Sequence, residues 1–485
     1  MADLLKNRRF MNGILCAIAG AVALNVILTA FFRQLWFDEV ISLMDFALLP
    51  NMTDIYRFYN IPNNHIVYNI LLRWWIDACD GIPFLARLLP RSFTAITALA
   101  SLALLLYFWL KRFHAETVFT AAFCLILSLP FAIYSTAVRG YMLSFLVILL
   151  SIEIALLYKE KKKPLLLAAY FLLSLIGSGT TPTNIVAFAA IYLFLVPPAG
   201  LKKIISDKTL LLALIPVATF LLFYVPIFPK LLKVLSLKEG WSSGFDASIH
   251  FYAAFIISFF PLLILAVAGK LYSKEKSPST TNLLHCLIFL IPLIVFMIKA
   301  PAPFPRAFFC LWPLWIFMLC TFADPLIPLL KEKYRGPLLS SLICICVIWA
   351  AIPLNFPIQL SNALSKGGQD DFFKPYFMRP DFRPMDTVGK CVEISKEAGG
   401  LRVFLDFAAD YPSLFFYART TKMPEGFWIF DRPNKKVESL GNDAAILVVA
   451  RSSSDMETIA RRFSMGSFEQ VADCGYQKIF LARLR

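Results

Sequence analysis

The charged side chains at the edges of the long apolar blocks are those whose types and spacing could do chemistry. Asp38 and Glu39 lie in Trp36-Phe37-Asp38-Glu39, about five residues after the apolar block 11–32. Two adjacent carboxylates there can act as a general base, bind a metal or hold a cation, or simply keep a helix end in water. Asn63-Asn64-His65 opens a second stretch, in which His65 could donate a hydrogen bond, act as a ligand or start a helix. Tyr134-Ser135-Thr136-Ala137-Val138-Arg139-Gly140-Tyr141 sets an arginine between two tyrosines. Such an arginine can clamp an anion or serve as a snorkelling anchor. Lys299 and Arg306 flank a proline-rich run, 300–305, that is too rigid and donor-poor for a helix and could line a cavity. A carboxylate set against several cations at one membrane surface suits a negatively charged lipid headgroup and a hydroxyl needing deprotonation.

Helices that cross a membrane must position these groups. The chain is 59% hydrophobic and 16% charged, against roughly 25% charged in soluble domains. A span needs roughly 20 mostly apolar residues, and the pattern predicts about eleven: 11–32, 88–110, 117–133, 141–158, 165–180, 184–198, 209–228, 250–270, 282–298, 306–323 and 337–355. No small-residue cleavage site follows the first, which reads as an anchored helix. Basic residues precede the first span (Lys6, Arg8, Arg9) and recur in every second loop after it, from Lys111 and Arg112 to Lys331, Lys333 and Arg335. The positive-inside rule makes these segments cytoplasmic and turns the other loops and the tail outward. The net charge of +15 is therefore an orientation signal, and with no basic face it argues against nucleic acid as a partner.

Two outward segments are long enough to fold. Loop 33–87 contains Ile66, Ile70, Leu71, Trp74 and Trp75 at helical spacing, which predicts an amphipathic helix lying in the interface. After residue 358 the pattern becomes that of a small soluble α/β domain. Strands are expected at 403–407, 444–450 and 477–482, and helices at 410–418 and 455–463, beyond a connector rich in proline and arginine. The expected division is thus 1–358, helical and membrane-embedded, and 359–485, extracytoplasmic. Seven of the ten cysteines lie in apolar segments and behave as small hydrophobes. Cys391 and Cys474 are placed so that they could pair.

Several motifs together resemble a known family. They are the acidic pair after the first span, the Asn-His entry to a loop helix rich in leucine and tryptophan, and Arg-Leu-Leu-Pro-Arg at 87–91. Arg139-Gly140-Tyr141 and Pro305-Arg306-Ala307-Phe308-Phe309 with Trp312-Pro313 add to them. In this order the set resembles GT-C glycosyltransferases, in particular the protein O-mannosyltransferase and aminoarabinose–lipid A transferase superfamily, over about residues 1–325. The resemblance implies a GT-C-like bundle in a bacterial plasma (inner) membrane, with the N-terminus cytoplasmic and the C-terminal domain periplasmic or extracellular. It implies inverting transfer of a sugar from a polyprenyl-phosphate donor to a lipid, glycan or protein acceptor. Asp38 would be the general base and Glu39 its supporting carboxylate. Arg139, Arg306 and Lys299 would hold the donor phosphate. His65, Asn64, Tyr134 and Tyr141 would line the substrate site.

The sequence departs from the family at Gly140, where proline is usual, and after His65, where Ile66 and Val67 replace a proline-rich stretch. No second acidic residue stands between the third and fourth spans, and Glu153 lies toward the cytoplasmic end. A metal is therefore open: Asp38, Glu39 and His65 could hold a divalent ion. Two other classes fit the pattern less well. A transporter or flippase of a lipid-linked anion would carry ionisable residues in mid-span, which are nearly absent here. A polysaccharide ligase or polymerase would carry its long outer loop late in the bundle.

Overall fold

A computed structural model describes residues 13, 20–24, 33–59, 64–79, 89–195, 208–236, 246–272, 279–298, 305–329, 332–351, 381–431, 440 and 444–484. Most of the first expected span, Lys299, Arg87 and most of the connector before Pro384 lie outside the described residues. In chain order the helices are α1 (Phe37–Ile41), α2 (Met52–Arg57), α3 (Ile66–Cys79), α4 (Leu89–Trp109), α5 (Ala115–Ile126), α6 (Leu129–Tyr134), α7 (Tyr141–Lys161), α8 (Pro164–Thr180) and α9 (Asn184–Leu195). They continue as α10 (Leu211–Tyr224), α11 (Phe228–Ser236), α12 (Asp246–Ser258), α13 (Phe260–Tyr272), α14 (Ser279–Ile298), α15 (Trp312–Ala323), α16 (Glu332–Ala351), α17 (Pro384–Glu397), α18 (Tyr411–Arg419) and α19 (Ser453–Arg462). The chain divides into two compact units, one of Met1–Thr29 with Phe46–Phe373, the other of Ala30–Asp45 with Lys374–Arg485.

The first unit is helical, and its apolar helices make the chain a multi-pass membrane protein. Among the described residues four stretches are long and apolar enough to cross a membrane: Pro90–Trp109, Tyr141–Lys161, Leu211–Lys233 and Arg306–Leu329. The pair α12 and α13 makes a fifth if counted as one span. The other expected spans after the first coincide with shorter apolar helices, so the expected count of eleven is not reached on length alone. Two of the expected spans are broken. At 117–133 the helix stops and restarts because Pro130 lacks an amide hydrogen and Ser128 recaps the chain, its hydroxyl accepting from the Phe131 amide at 3.3 Å. At 250–270 the chain bends by 76° between α12 and α13, just before Pro261. By contrast α7 is unbroken until Lys162, whose left-handed backbone (φ 52°) ends it before Pro164 opens α8. At that end Arg112 binds Glu153 at 2.9 Å, which neutralises the one carboxylate buried in α7.

The second unit is a five-stranded sheet of order β2-β1-β3-β5-β4, made of β1 (Val403–Leu405), β2 (Trp428–Phe430), β3 (Ala445–Ala450), β4 (Met465–Cys474) and β5 (Gln477–Leu484). β1 pairs in parallel with β2 and β3, and β5 is antiparallel to β3 and β4. One face is covered by α17 and α18 through Val388, Cys391, Leu414 and Ala418, the other by α19 through Met456 and Ile459. Cys391 and Cys474 meet in the first of these cores as free thiols. α17, β2 and β4 were not expected from the sequence. α17 has a polar composition, β2 has three residues, and β4 is mostly exposed with two register shifts, which blurs its alternation.

Candidate functional site

In the first unit the candidate residues gather where three chain segments meet: the start of α3, the α6–α7 turn and the 3₁₀ turn Pro305–Leu311. α7 and the stretch that begins at Arg306 are the two candidate spans most enclosed by protein, so Tyr141 and Arg306 stand on rigid supports. The Tyr141 hydroxyl accepts from Arg306 Nε at 3.1 Å and from Arg139 Nη2 at 3.4 Å. With both lone pairs engaged, its own proton is left to donate elsewhere. The Arg139 guanidinium also lies 5.5 Å from the Tyr141 ring centre. Tyr134 packs on Tyr141 with ring centres 4.8 Å apart and on Phe309 at 5.2 Å. Arg139 is 2% exposed, which places its charge inside the protein and not on a snorkelling path to water.

His65 completes this cluster. Its Nδ1 is 3.1 Å from the Thr180 carbonyl, which can only accept, so Nδ1 carries the proton. Nε2 is then a bare acceptor, buried and without a hydrogen-bond partner among the described residues. Burial and the charge of Arg139, with a smaller part from Arg306, hold the imidazole pKa well below its usual value, so the ring is neutral. Its edge meets the Tyr141 ring at 5.1 Å. Gly140 permits this approach. A Cβ there would lie 2.8 Å from Thr180 Cγ2 and 2.9 Å from His65 Nδ1. The backbone is not what excludes a side chain, since φ is −71°; the space occupied by His65 is.

Asn64 is committed to its own loop. Its Nδ2 donates to the carbonyls of Ile55 (2.9 Å) and Phe58 (3.1 Å), and its Oδ1 accepts from Asn69. The cluster also rests on residues that composition did not single out. Thr183 Oγ1 donates to the Ala307 carbonyl at 2.8 Å and holds the turn that carries Arg306. Arg91 donates to the Thr136 carbonyl at 3.3 Å and steadies the α6–α7 turn. The polar run Thr180-Thr181-Pro182-Thr183-Asn184, inside an apolar region, was the available signal for the first of these.

The acidic pair belongs to the second unit. Asp38 and Glu39 lie in the first turn of α1, 3% and 0% exposed, and α1 runs directly into a π-helix, Ser42–Ala47. Glu39 reaches back to the Trp36 amide and to Arg33, each at 3.4 Å, so it caps its own helix. The two carboxylates thus separate in role: Glu39 is turned into its own segment, and Asp38 is not part of that cap. Among the described residues no group of three or more histidine, cysteine, aspartate or glutamate side chains could hold a metal ion.

No family model matches the chain, and no curated protein matches it in sequence. Its fold does match solved structures. ArnT from Cupriavidus metallidurans bound to undecaprenyl phosphate aligns over 97% of this chain and 98% of its own, at 12% identity and a TM-score of 0.52. The same protein in the apo state aligns with the same coverage at 11% identity and a TM-score of 0.54. The chain therefore has an ArnT-like fold, in agreement with the GT-C resemblance read from its motifs.

Proposed function

We propose, from this fold and this cluster, that the chain is a membrane glycosyltransferase that moves a sugar from a polyprenyl-phosphate donor to an acceptor hydroxyl or phosphate group. The observation that carries the reading is the convergence of Arg139 and Arg306 on the Tyr141 hydroxyl beside a neutral histidine. The two guanidinium groups and the Tyr141 hydroxyl proton offer several donors at one place, which suits a phosphate. The ArnT structure with undecaprenyl phosphate bound supplies the ligand class.

In the proposed reaction the acceptor oxygen attacks the anomeric carbon as the bond from that carbon to the phosphate oxygen breaks. Negative charge grows on the leaving phosphate, so fixed guanidinium groups stabilise the transition state more than the ground state. The Tyr141 proton adds a third donor, and Lys299 joins the clamp by its place in the chain. His65 Nε2 accepts a hydroxyl proton of the bound donor and Tyr134 walls the site. Asn64 holds the loop that presents His65. Asp38 takes the acceptor proton, and inversion follows from a single displacement. We place this chemistry at the outer face of a bacterial inner membrane, with residues 359–485 on that side.

Purified protein in lipid nanodiscs, given undecaprenyl-phosphate sugars and envelope lipids or glycans, should release undecaprenyl phosphate. Arg306→Ala should lower kcat/KM by about 10- to 100-fold, the range for loss of a charge-assisted hydrogen bond. Asp38→Asn should lower kcat by about 10²- to 10⁴-fold. Unchanged turnover in Asp38→Asn would remove it as the base, and normal kinetics in Arg306→Ala would dissolve the clamp.

A further inference from the structure

We infer that the C-terminal α/β domain is a positioning element for Asp38, acting through Tyr417 and Gln34; this rests on the reading of Asp38 as the base. Residues Ala30–Asp45 fold with the C-terminal domain, and three contacts within residues 34–37 tie them to it. The Met385 amide, in the first turn of α17, donates to Gln34 Oε1 at 2.6 Å. Such an amide has no acceptor within its own helix. The Leu35 amide donates to the Tyr417 hydroxyl at 2.9 Å. The Phe37 ring meets Phe407 edge-on at 5.9 Å. Each partner comes from a different element: α17, α18 and the 3₁₀ turn Phe407–Ala409.

These elements are firm. α18 is capped by Asp410, which accepts from the Ser413 amide, and is packed into the sheet core through Leu414 and Ala418. Asp38 therefore sits between Phe37, held by the domain, and Glu39, held by Arg33 and the Trp36 amide. A catalytic group must be kept within roughly 0.5 Å of its working position, and a misplacement of about 1 Å costs on the order of 10²-fold in rate. Even with the π-helical turn Ser42–Ala47 that continues it, so short a helix cannot hold itself to that tolerance, since isolated helices shorter than about 12 residues are marginal in water. The domain supplies what the helix lacks.

The test uses the full chain with Tyr417→Phe, which keeps the ring and removes the hydroxyl, Gln34→Ala, and Gln34→Glu, which retains an acceptor at a helix N-terminus. Tyr417→Phe and Gln34→Ala should each lower kcat by about 3- to 10-fold, the worth of one hydrogen bond, with donor KM within about twofold. Amide hydrogen exchange of 33–41 should accelerate by a similar factor while the strands at 403–405 and 445–450 keep their protection. Gln34→Glu should restore both readouts. Exchange that is unchanged in 33–41, or raised equally in the strands, overturns the proposal. Faster exchange with normal kcat overturns it too. If wild-type protein turns over no donor, the glycosyltransferase reading fails by itself, and the exchange pattern still decides whether the domain holds this segment.

Discussion

A missing side chain defines the cation cluster as much as the charges do. Gly140 stands where a methyl group would fall within 3 Å of both Thr180 and His65. Adding one would push the imidazole off the Tyr141 edge, and overpacking of this kind costs about 1–3 kcal/mol. Gly140→Ala should therefore lower donor kcat/KM by roughly tenfold and lower Tm by a few degrees. Gly389→Ala is the matched control: its Cβ would meet nothing within 4 Å, so activity and Tm should hold. Equal behaviour of the two variants would show that the close approach is unimportant. His65 adds a pH signature. Its folded pKa is depressed by burial and by Arg139, whereas an unfolded histidine titrates at about 6.5. Below that pH the unfolded chain binds a proton that the folded chain refuses, so stability falls as pH falls. The wild type should lose Tm on acidification below about 6.5, and His65→Asn should flatten that slope; parallel slopes would contradict the neutral, buried assignment.

The same cluster depends on how elements are tied. Thr183, between α8 and α9, holds the turn that carries Arg306 through a single hydroxyl–carbonyl bond of 2.8 Å. Thr183→Val keeps the volume and removes the donor, leaving the Ala307 carbonyl with only the weaker Cys310 thiol donor at 3.5 Å, at a cost of about 1–2 kcal/mol. The donor KM should rise by roughly 5- to 50-fold while the charges stay in place; an unchanged KM would show that the turn is held by other means. Much of this element layer was legible in advance. The apolar blocks marked every helix from α4 to α16 except α11, with 117–133 and 250–270 each running two helices together, and the Ile66–Trp75 spacing marked α3. The breaks at Ser128 and Phe259 were also written in the chain, as Pro130 and Pro261, but hydropathy averages across a single proline. What could not be read was tertiary. Asn64 and Glu39 look like free polar groups in a loop, yet both close hydrogen bonds on their own segments. Tyr417 looks like one more apolar-face tyrosine of α18, yet it holds the Leu35 amide, 382 positions away. Contacts of such separation leave no periodicity to detect.

At the scale of the whole molecule, the composition of the second unit constrains the first. Residues Ala30–Asp45 and Lys374–Arg485 form one compact unit. Backbone groups of a folded α/β domain cannot lie in hydrocarbon, so both segments stand on the same side of the membrane. The chain between Asp45 and Lys374 must then cross an even number of times. Among the described residues helix length and hydropathy alone give four spans there, or five with the bent pair, and parity excludes the odd total. The apolar pattern predicts ten crossings after the first span, an even total that satisfies parity as four does. Sidedness labelling tests this in oriented vesicles with an impermeant thiol reagent, on a background lacking other reactive cysteines. Asp45→Cys and Glu425→Cys, both at exposed positions, should label from one face. Lys161→Cys, at the exposed basic end of α7, should label only from the other. Labelling of Asp45→Cys and Glu425→Cys from opposite faces would break the two-segment unit and, with it, the case for a C-terminal domain that holds Asp38.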